Sequence, residues 1–124
     1  MEVLKKINFC GVDVNFNISA AVPIQYRNLY HEDLFKLFQD FASCADDDGK
    51  IKTEEIPPNL LEKIDNTIYV QALLGKNENT EDELTFFSQF NYPSYMAQML
   101  EPFTALLVAQ KPQKKSTVVS QKGK

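Results

Sequence analysis

The first 18 residues alternate between apolar and polar positions, which is the period of a β-strand with one buried face. One alternating run covers residues 3–9 and a second covers residues 12–18. Cys10 and Gly11 lie between the two runs, and glycine adopts positive φ without steric strain, as a tight turn requires. The pattern therefore predicts an N-terminal β-hairpin.

Beyond Pro23 the apolar residues recur at helical spacing and predict about four helices. Pro23 suits a first helical turn, Gly75 suits a helix end, and the TEDE sequence of residues 80–83 has the form of a capping box. Pro102 should kink or split the last helix. The predicted helices lie at about residues 23–41, 60–75, 80–90 and 93–110. We therefore predict an α+β fold, mainly α, in one globular domain covering residues 1–110.

Charge divides the chain into an acidic body and a basic tail. All 17 acidic residues precede Lys111, whereas residues 111–124 hold five of the 13 basic residues and no acid. An acidic body repels nucleic acid, so the sequence does not favour a nucleic-acid-binding domain. The tail is polar and poor in large apolar groups, which predicts disorder in isolation.

The sequence shows no targeting signal, and this absence together with the cysteine usage predicts a cytoplasmic protein. No apolar run is long enough to span a bilayer, and residues 1–14 lack the apolar core and cleavage site of a signal peptide. Cys10 and Cys44 have no CxxC spacing, which is most simply explained by reduced thiols in a cytosolic protein.

No catalytic or cofactor pattern stands out in the sequence. The single histidine, His31, has no cysteine or serine partner at a recognisable spacing, and we interpret it as a surface or cap residue just inside a helix. A glycine-rich phosphate loop and a zinc ligand set are both absent from the sequence. Arg27, the single arginine, lies beside tyrosines and is interpreted as structural or partner-facing. We expect a protein that is not an enzyme and holds no cofactor.

Residues 44–55, CADDDGKIKTEE, have some features of a calcium-binding EF-hand loop. Asp46, Asp48 and Glu55 would occupy ligand positions, with a glycine at the bend. Cys44 at the first position is a poor ligand for a hard cation, and Lys52 would place a positive charge beside the ion. The favoured interpretation is a surface loop without a metal, and a degenerate calcium site is the alternative.

The N-terminal third carries three short motifs in a fixed order. They are G-x-x-V-x-F from Gly11, A-x-x-P-I-x-Y-R-x-x-Y from Ala20 and D-L-F-K from Asp33. In these motifs the chain resembles the small tail assembly chaperones of long-tailed bacteriophages and prophages. The resemblance extends over about residues 7–110, with its specific part at residues 11–36, and the chain lacks a tryptophan that the family often has in its middle region.

The resemblance implies a chaperone that acts in the cytoplasm of a bacterial host. Such proteins bind the long helical tape measure protein, recruit tail tube subunits and are absent from the finished particle. The family often makes a longer form by programmed frameshifting near the end of the short frame, and self-association is a further expectation. The alternatives are the calcium-binding protein and another small phage adaptor, such as a head–tail completion protein.

Aromatic and methionine-rich helix faces are the candidate partner-binding residues, because such side chains bind exposed apolar helices. The alternative, structural interpretation is that most of these side chains fill the core of a small domain. The candidates are Tyr26, Arg27, Tyr30, Phe86, Phe87, Phe90, Met96 and Met99.

Overall fold

The computed structural model describes residues 2–111 and confirms the predicted mainly helical α+β class. A two-stranded antiparallel sheet is followed by helices that pack against one of its faces, and the predicted basic tail lies outside the described residues from Pro112 onward. In chain order the elements are β1 (Leu4–Phe9), β2 (Val12–Asn17), α1 (Ala21–Tyr30), α2 (Leu34–Ala42), a short 3-10 helix (Thr53–Glu55), α3 (Pro58–Leu74), α4 (Glu83–Phe87), α5 (Tyr92–Gln98) and α6 (Leu100–Ala109). Within residues 2–111, no helix is long and apolar enough to cross a membrane.

The hairpin forms at the predicted place. Cys10 and Gly11 both have positive φ, 54° and 87°, as the central residues of a type I′ turn require. Ile7 pairs with Val14, and both side chains lie in the core. The Cys10 amide also donates to the Gln98 side chain at 2.9 Å, which ties the tip of the hairpin to α5.

The predicted first helix is two helices, α1 and α2, because the chain turns at His31. His31 has φ 60° and ψ 36°, and its amide donates to the Arg27 carbonyl at 2.8 Å, so it caps the C-terminus of α1 and does not lie inside a helix. Asp33 then begins α2 by accepting a hydrogen bond from the Phe35 amide at 3.0 Å. A single apolar stripe across residues 30–41 was therefore the wrong prediction.

α3 lies at the centre of the fold and contacts the hairpin, α1, α2, α4 and α6. Its second half, residues 68–74, is apolar nearly all round, which fits this position. Gln71 is a fully buried polar residue on α3, and its amide donates to the Pro102 carbonyl of α6 at 2.9 Å. This hydrogen bond links the central helix to the last one.

The end of α3 meets β2 at close range. Gly75 terminates the helix as predicted. Its φ is −81°, so glycine is not required here for the left-handed conformation that is usual after a helix. A Cβ atom on Gly75 would lie 1.9 Å from the Asn15 carbonyl oxygen, so only glycine fits. Next along the chain, the Asn77 side chain accepts from the Asn15 amide at 2.9 Å and donates to the Asn15 carbonyl at 2.8 Å.

α4 begins at a different residue from the one that the predicted capping box indicates, and the last predicted helix is divided into α5 and α6. Asp82, not Thr80, is the N-cap of α4, since its carboxylate accepts from the Thr85 amide at 2.8 Å. Thr80 is buried instead, and its carbonyl accepts from the Tyr69 hydroxyl at 2.8 Å. The predicted split of the last helix is confirmed at Met99, and Pro102 lies in the first turn of α6, where its missing N–H is tolerated.

Candidate partner-binding surface

Three of the candidate partner-binding residues belong to the core. Tyr26, Phe86 and Met99 are fully buried. Tyr26 packs on Tyr30 with ring centroids 5.0 Å apart, and Phe86 packs on Phe90 at 5.3 Å. Their burial leaves these three side chains no surface to offer a partner, so they act by fixing the neighbours that are exposed.

The other candidates reach the surface to different degrees. Tyr30, Phe87, Phe90 and Met96 are partly buried and pack against the core. Arg27 is exposed on α1, and none of the ion pairs among residues 2–111 includes it.

An open groove of about 640 Å³ runs between α1, α3 and the start of α4, and we call it the apolar groove. Its apolar lining is Leu29 and Tyr30 from α1, Tyr69 and Leu73 from α3, and Leu84 from α4. Leu29 is 44% exposed and Leu84 is 82% exposed. Two large leucines projecting beside one recess form a surface that another apolar side chain can cover.

Acidic residues form one side of the apolar groove. Glu81, Asp82 and Glu83 lie there in sequence at the start of α4. The Tyr30 hydroxyl donates to Glu83 Oε1 at 2.6 Å, and burial together with this bond raises the pKa of Tyr30. The bond from the Thr85 amide lowers the pKa of Asp82. The groove therefore has an apolar floor and a negatively charged edge.

A second recess, of about 250 Å³, is lined by four aromatic rings and one carboxylate, and we call it the aromatic pocket. Its lining residues are Asp65, Phe87, Phe90, Tyr92 and Tyr95.

Asp65 is the charged group of this pocket, and it comes from α3. The Tyr95 hydroxyl donates to Asp65 Oδ1 at 2.5 Å. Burial raises the pKa of the Asp65 carboxyl, and the Tyr95 hydrogen bond opposes that rise. The carboxylate thus faces aromatic rings, and its one hydrogen bond within the described residues comes from Tyr95.

Sequence reasoning missed Asp65, Tyr92 and Tyr95, as well as Leu29 and Leu84. A carboxylate three residues before the apolar second half of α3 was the available signal for the pocket. The two leucines carried no signal, because an exposed leucine and a core leucine look the same in a short helix.

The acidic loop holds its own backbone in place. Asp46 Oδ1 accepts from the amides of Asp48 and Lys50, both at 2.9 Å, and Gly49 has φ 79° at the bend. Asp46, Asp48 and Glu55 are all exposed. Across residues 2–111, no group of three or more histidine, cysteine or acidic side chains could hold a metal ion.

Both recesses share α4, which supplies residues of its first turn to the apolar groove and Phe87 to the aromatic pocket. Their chemistry suits side-chain recognition: apolar and aromatic surfaces contribute affinity, and the carboxylates select for charge. Comparison of the chain with protein-family models, with curated proteins and with solved structures found no match.

Proposed function

We propose that the protein is a tail assembly chaperone of a long-tailed bacteriophage that binds an apolar helical segment of the tape measure protein. The observation that carries the proposal is the apolar groove, in which Leu29 and Leu84 stand exposed beside a recess. The motif region that resembles the chaperone family includes Tyr30, which lines this groove. Family resemblance and surface chemistry therefore converge at the end of α1.

The groove suits the helix-in-groove mode of recognition. An amphipathic helix presents apolar side chains at positions i, i+3, i+4 and i+7, and a groove with apolar residues on two sides covers them. Burying the exposed part of Leu84 alone would contribute about 2 kcal/mol. The chaperone would thereby keep the tape measure protein soluble in the host cytoplasm until tail tube subunits are recruited and displace it.

Co-expression with the tape measure protein of the same phage tests the proposal. We expect the chaperone to raise the soluble fraction of the tape measure protein and to co-purify with it. Leu84→Glu should abolish both effects, because a carboxylate cannot be buried against an apolar helix. Val108→Glu is the matched control, since Val108 is 62% exposed on α6 and lies outside the groove.

Three results would contradict the proposal. The first is a tape measure protein that stays insoluble with the wild-type chain, and the second is a Leu84→Glu variant as effective as the wild type. The third is the presence of the chain in purified particles, which would favour the head–tail completion protein instead.

A longer frameshifted form that shares residues 1–110 is part of the same proposal. It would bind the tape measure protein through the shared domain and recruit tube subunits through its different C-terminal part. Mass spectrometry of infected or induced cells should detect a minor product with peptides from residues 1–110 and a different C-terminus. A nucleotide sequence without an overlapping frame would exclude the longer form and leave the chaperone proposal standing.

A further inference from the structure

The aromatic pocket combines aromatic rings with a carboxylate that no cation pairs within residues 2–111. Aromatic rings carry negative potential on their faces, and a carboxylate beside them adds a full charge. The three ion pairs among residues 2–111 join other groups, so Asp65 has no cationic partner within the described part of the chain. A partly buried carboxylate without such a partner is electrostatically complementary to a cation.

Edge-to-face packing holds the inner rings of the pocket in place. Phe87 packs on Tyr95 with centroids 5.2 Å apart and planes at 75°, and Phe90 packs on the buried Phe9 at 5.2 Å and 88°. The Tyr95 hydroxyl is fixed in turn by its bond to Asp65. A pocket whose rings are already ordered loses little side-chain entropy when a ligand enters.

Tyr92 forms the outer wall. It is 69% exposed at the start of α5, although it lines the same recess as the half-buried Phe87 and Phe90. A large aromatic ring left in solvent beside a rigid pocket is suited to close over a ligand head group.

We propose that the aromatic pocket binds the guanidinium group of an arginine side chain from a partner protein. A guanidinium is planar, weakly hydrated and always charged, so it stacks on aromatic faces and hydrogen-bonds a carboxylate at the same time. A lysine ammonium is compact and strongly hydrated, and it loses more hydration on entering an aromatic recess. This assignment goes beyond the proposed function, because it does not depend on which protein supplies the arginine.

The direct test is an NMR titration of the full chain with N-acetyl-arginine methylamide. The neutral comparison is the citrulline analogue, in which a urea group of nearly the same shape replaces the guanidinium. We expect a dissociation constant of the order of 1–10 mM for the arginine ligand, with shifts at Asp65, Phe87 and Tyr92, and binding at least about tenfold weaker for citrulline. Equal binding of the two ligands, or no saturable shift, would overturn the proposal.

Two further ligands test the choice of arginine. The lysine analogue carries the same positive charge on a compact ammonium group, and choline carries it on a methylated ammonium group. We expect both to bind more weakly than the arginine ligand. Tighter binding of choline or of the lysine analogue would overturn the assignment to arginine.

Substitutions distinguish an effect on arginine binding in the pocket from an effect on the stability of the fold or on the apolar groove. Asp65→Asn removes the charge while keeping an acceptor for Tyr95, and it should weaken arginine binding about tenfold or more. Tyr92→Ala alters an exposed wall and should weaken it several-fold with an unchanged melting temperature. Glu54→Gln, an exposed charge removal outside the pocket, is the control.

Leu84→Glu should leave arginine binding unchanged, so a failure of the chaperone proposal and a failure of the pocket proposal are distinguishable. Full arginine binding by both Asp65→Asn and Tyr92→Ala would place the ligand elsewhere and overturn the proposal.

Discussion

The Tyr30 hydroxyl donates to Glu83 Oε1 at 2.6 Å, and this bond joins the end of α1 to the first turn of α4. With its amide nitrogen facing the same carboxylate, Asn66 of α3 donates to Glu83 Oε2 at 2.9 Å. Three helices thus meet at one carboxylate beside the apolar groove. The position of α4 depends on polar bonds as well as on the buried Phe86.

Tyr30→Phe should lower the free energy of unfolding by about 1 kcal/mol, since it removes a hydrogen bond to a charged group and leaves the ring in place. Urea denaturation measures the change. Tyr92→Phe is the control, because the exposed Tyr92 hydroxyl bonds to no residue in the described part of the chain. Equal stability of the Tyr30→Phe variant and the wild type would mean that water replaces this bond without loss.

Alkaline pH should destabilise the fold through its buried tyrosines. Burial raises the pKa of Tyr26, Tyr30 and Tyr95 above the ordinary value of about 10, with neighbouring carboxylates adding to the rise. The stability that these groups contribute is fully present below about pH 10 and is lost as pH rises through the folded-state values. Each tyrosine contributes at most about 1.4 kcal/mol per pH unit.

Urea denaturation at about pH 8 to pH 11 measures this loss. Tyr30→Phe should make the decline above about pH 10 shallower than in the wild type. A free energy of unfolding that stays constant across this range would contradict the prediction.

Gly75→Ala should cost about 3 kcal/mol, because the new methyl group would overlap the Asn15 carbonyl and force β2 away from α3. Gly49→Ala is the comparison: Gly49 has φ 79° and open space around it, so the change costs only the backbone strain of about 1 kcal/mol. Thermal or urea denaturation of both variants distinguishes overlap from strain. If Gly75→Ala lowers the stability no more than Gly49→Ala does, the end of α3 can shift to accommodate the methyl group.

A chain ending at Gln110 should melt within a few degrees of the full chain. A chain ending at Ala109 should melt lower by roughly 4–8 °C, since it loses the bond of about 1 kcal/mol from the Gln110 side chain to the Ile18 carbonyl at 2.8 Å. Differential scanning calorimetry compares the two. Unfolding of the first variant would place the domain boundary beyond residue 110.

Calcium should not bind the loop of residues 44–55 with a dissociation constant tighter than about 10⁻⁴ M. Lys52 adds a positive charge, and Asp46 Oδ1 already accepts two amides of its own loop. Calorimetric titration measures the constant, and Asp48→Asn should leave the result unchanged. A saturating heat signal at a tighter constant would revive the calcium-binding alternative.

Local chemistry in the sequence predicted the hairpin, the extent of α3 and the split near Pro102. The break at His31 was hidden, because Tyr30 and Leu34 keep a four-residue apolar spacing across two separate helices. Asp33 was the available signal, as an N-cap residue inside the supposed helix.

The aromatic pocket depends on contacts that no local pattern contains. Asp65 and Tyr95 are 30 residues apart in the sequence, and only the tertiary fold brings the carboxylate of α3 and the hydroxyl of α5 together. Periodicity likewise could not separate the buried Phe86 and Met99 from the partly exposed Phe87, Phe90 and Met96, because apolar side chains occupy more than one face of these short helices. Assigning a side chain to core or surface required the packing of several helices.

The pair formed by Asn15 and Asn77 also bears on aggregation. A two-stranded sheet has unpaired backbone groups along its outer edges, and such edges can add strands from other molecules. The Asn77 side-chain amide accepts from and donates to Asn15 as a neighbouring peptide group would, so one side chain takes the place of a third strand at that point. Asn77 therefore occupies the hydrogen-bonding groups of β2 at Asn15. A strand from another chain cannot pair with β2 at this point unless it displaces the Asn77 side chain.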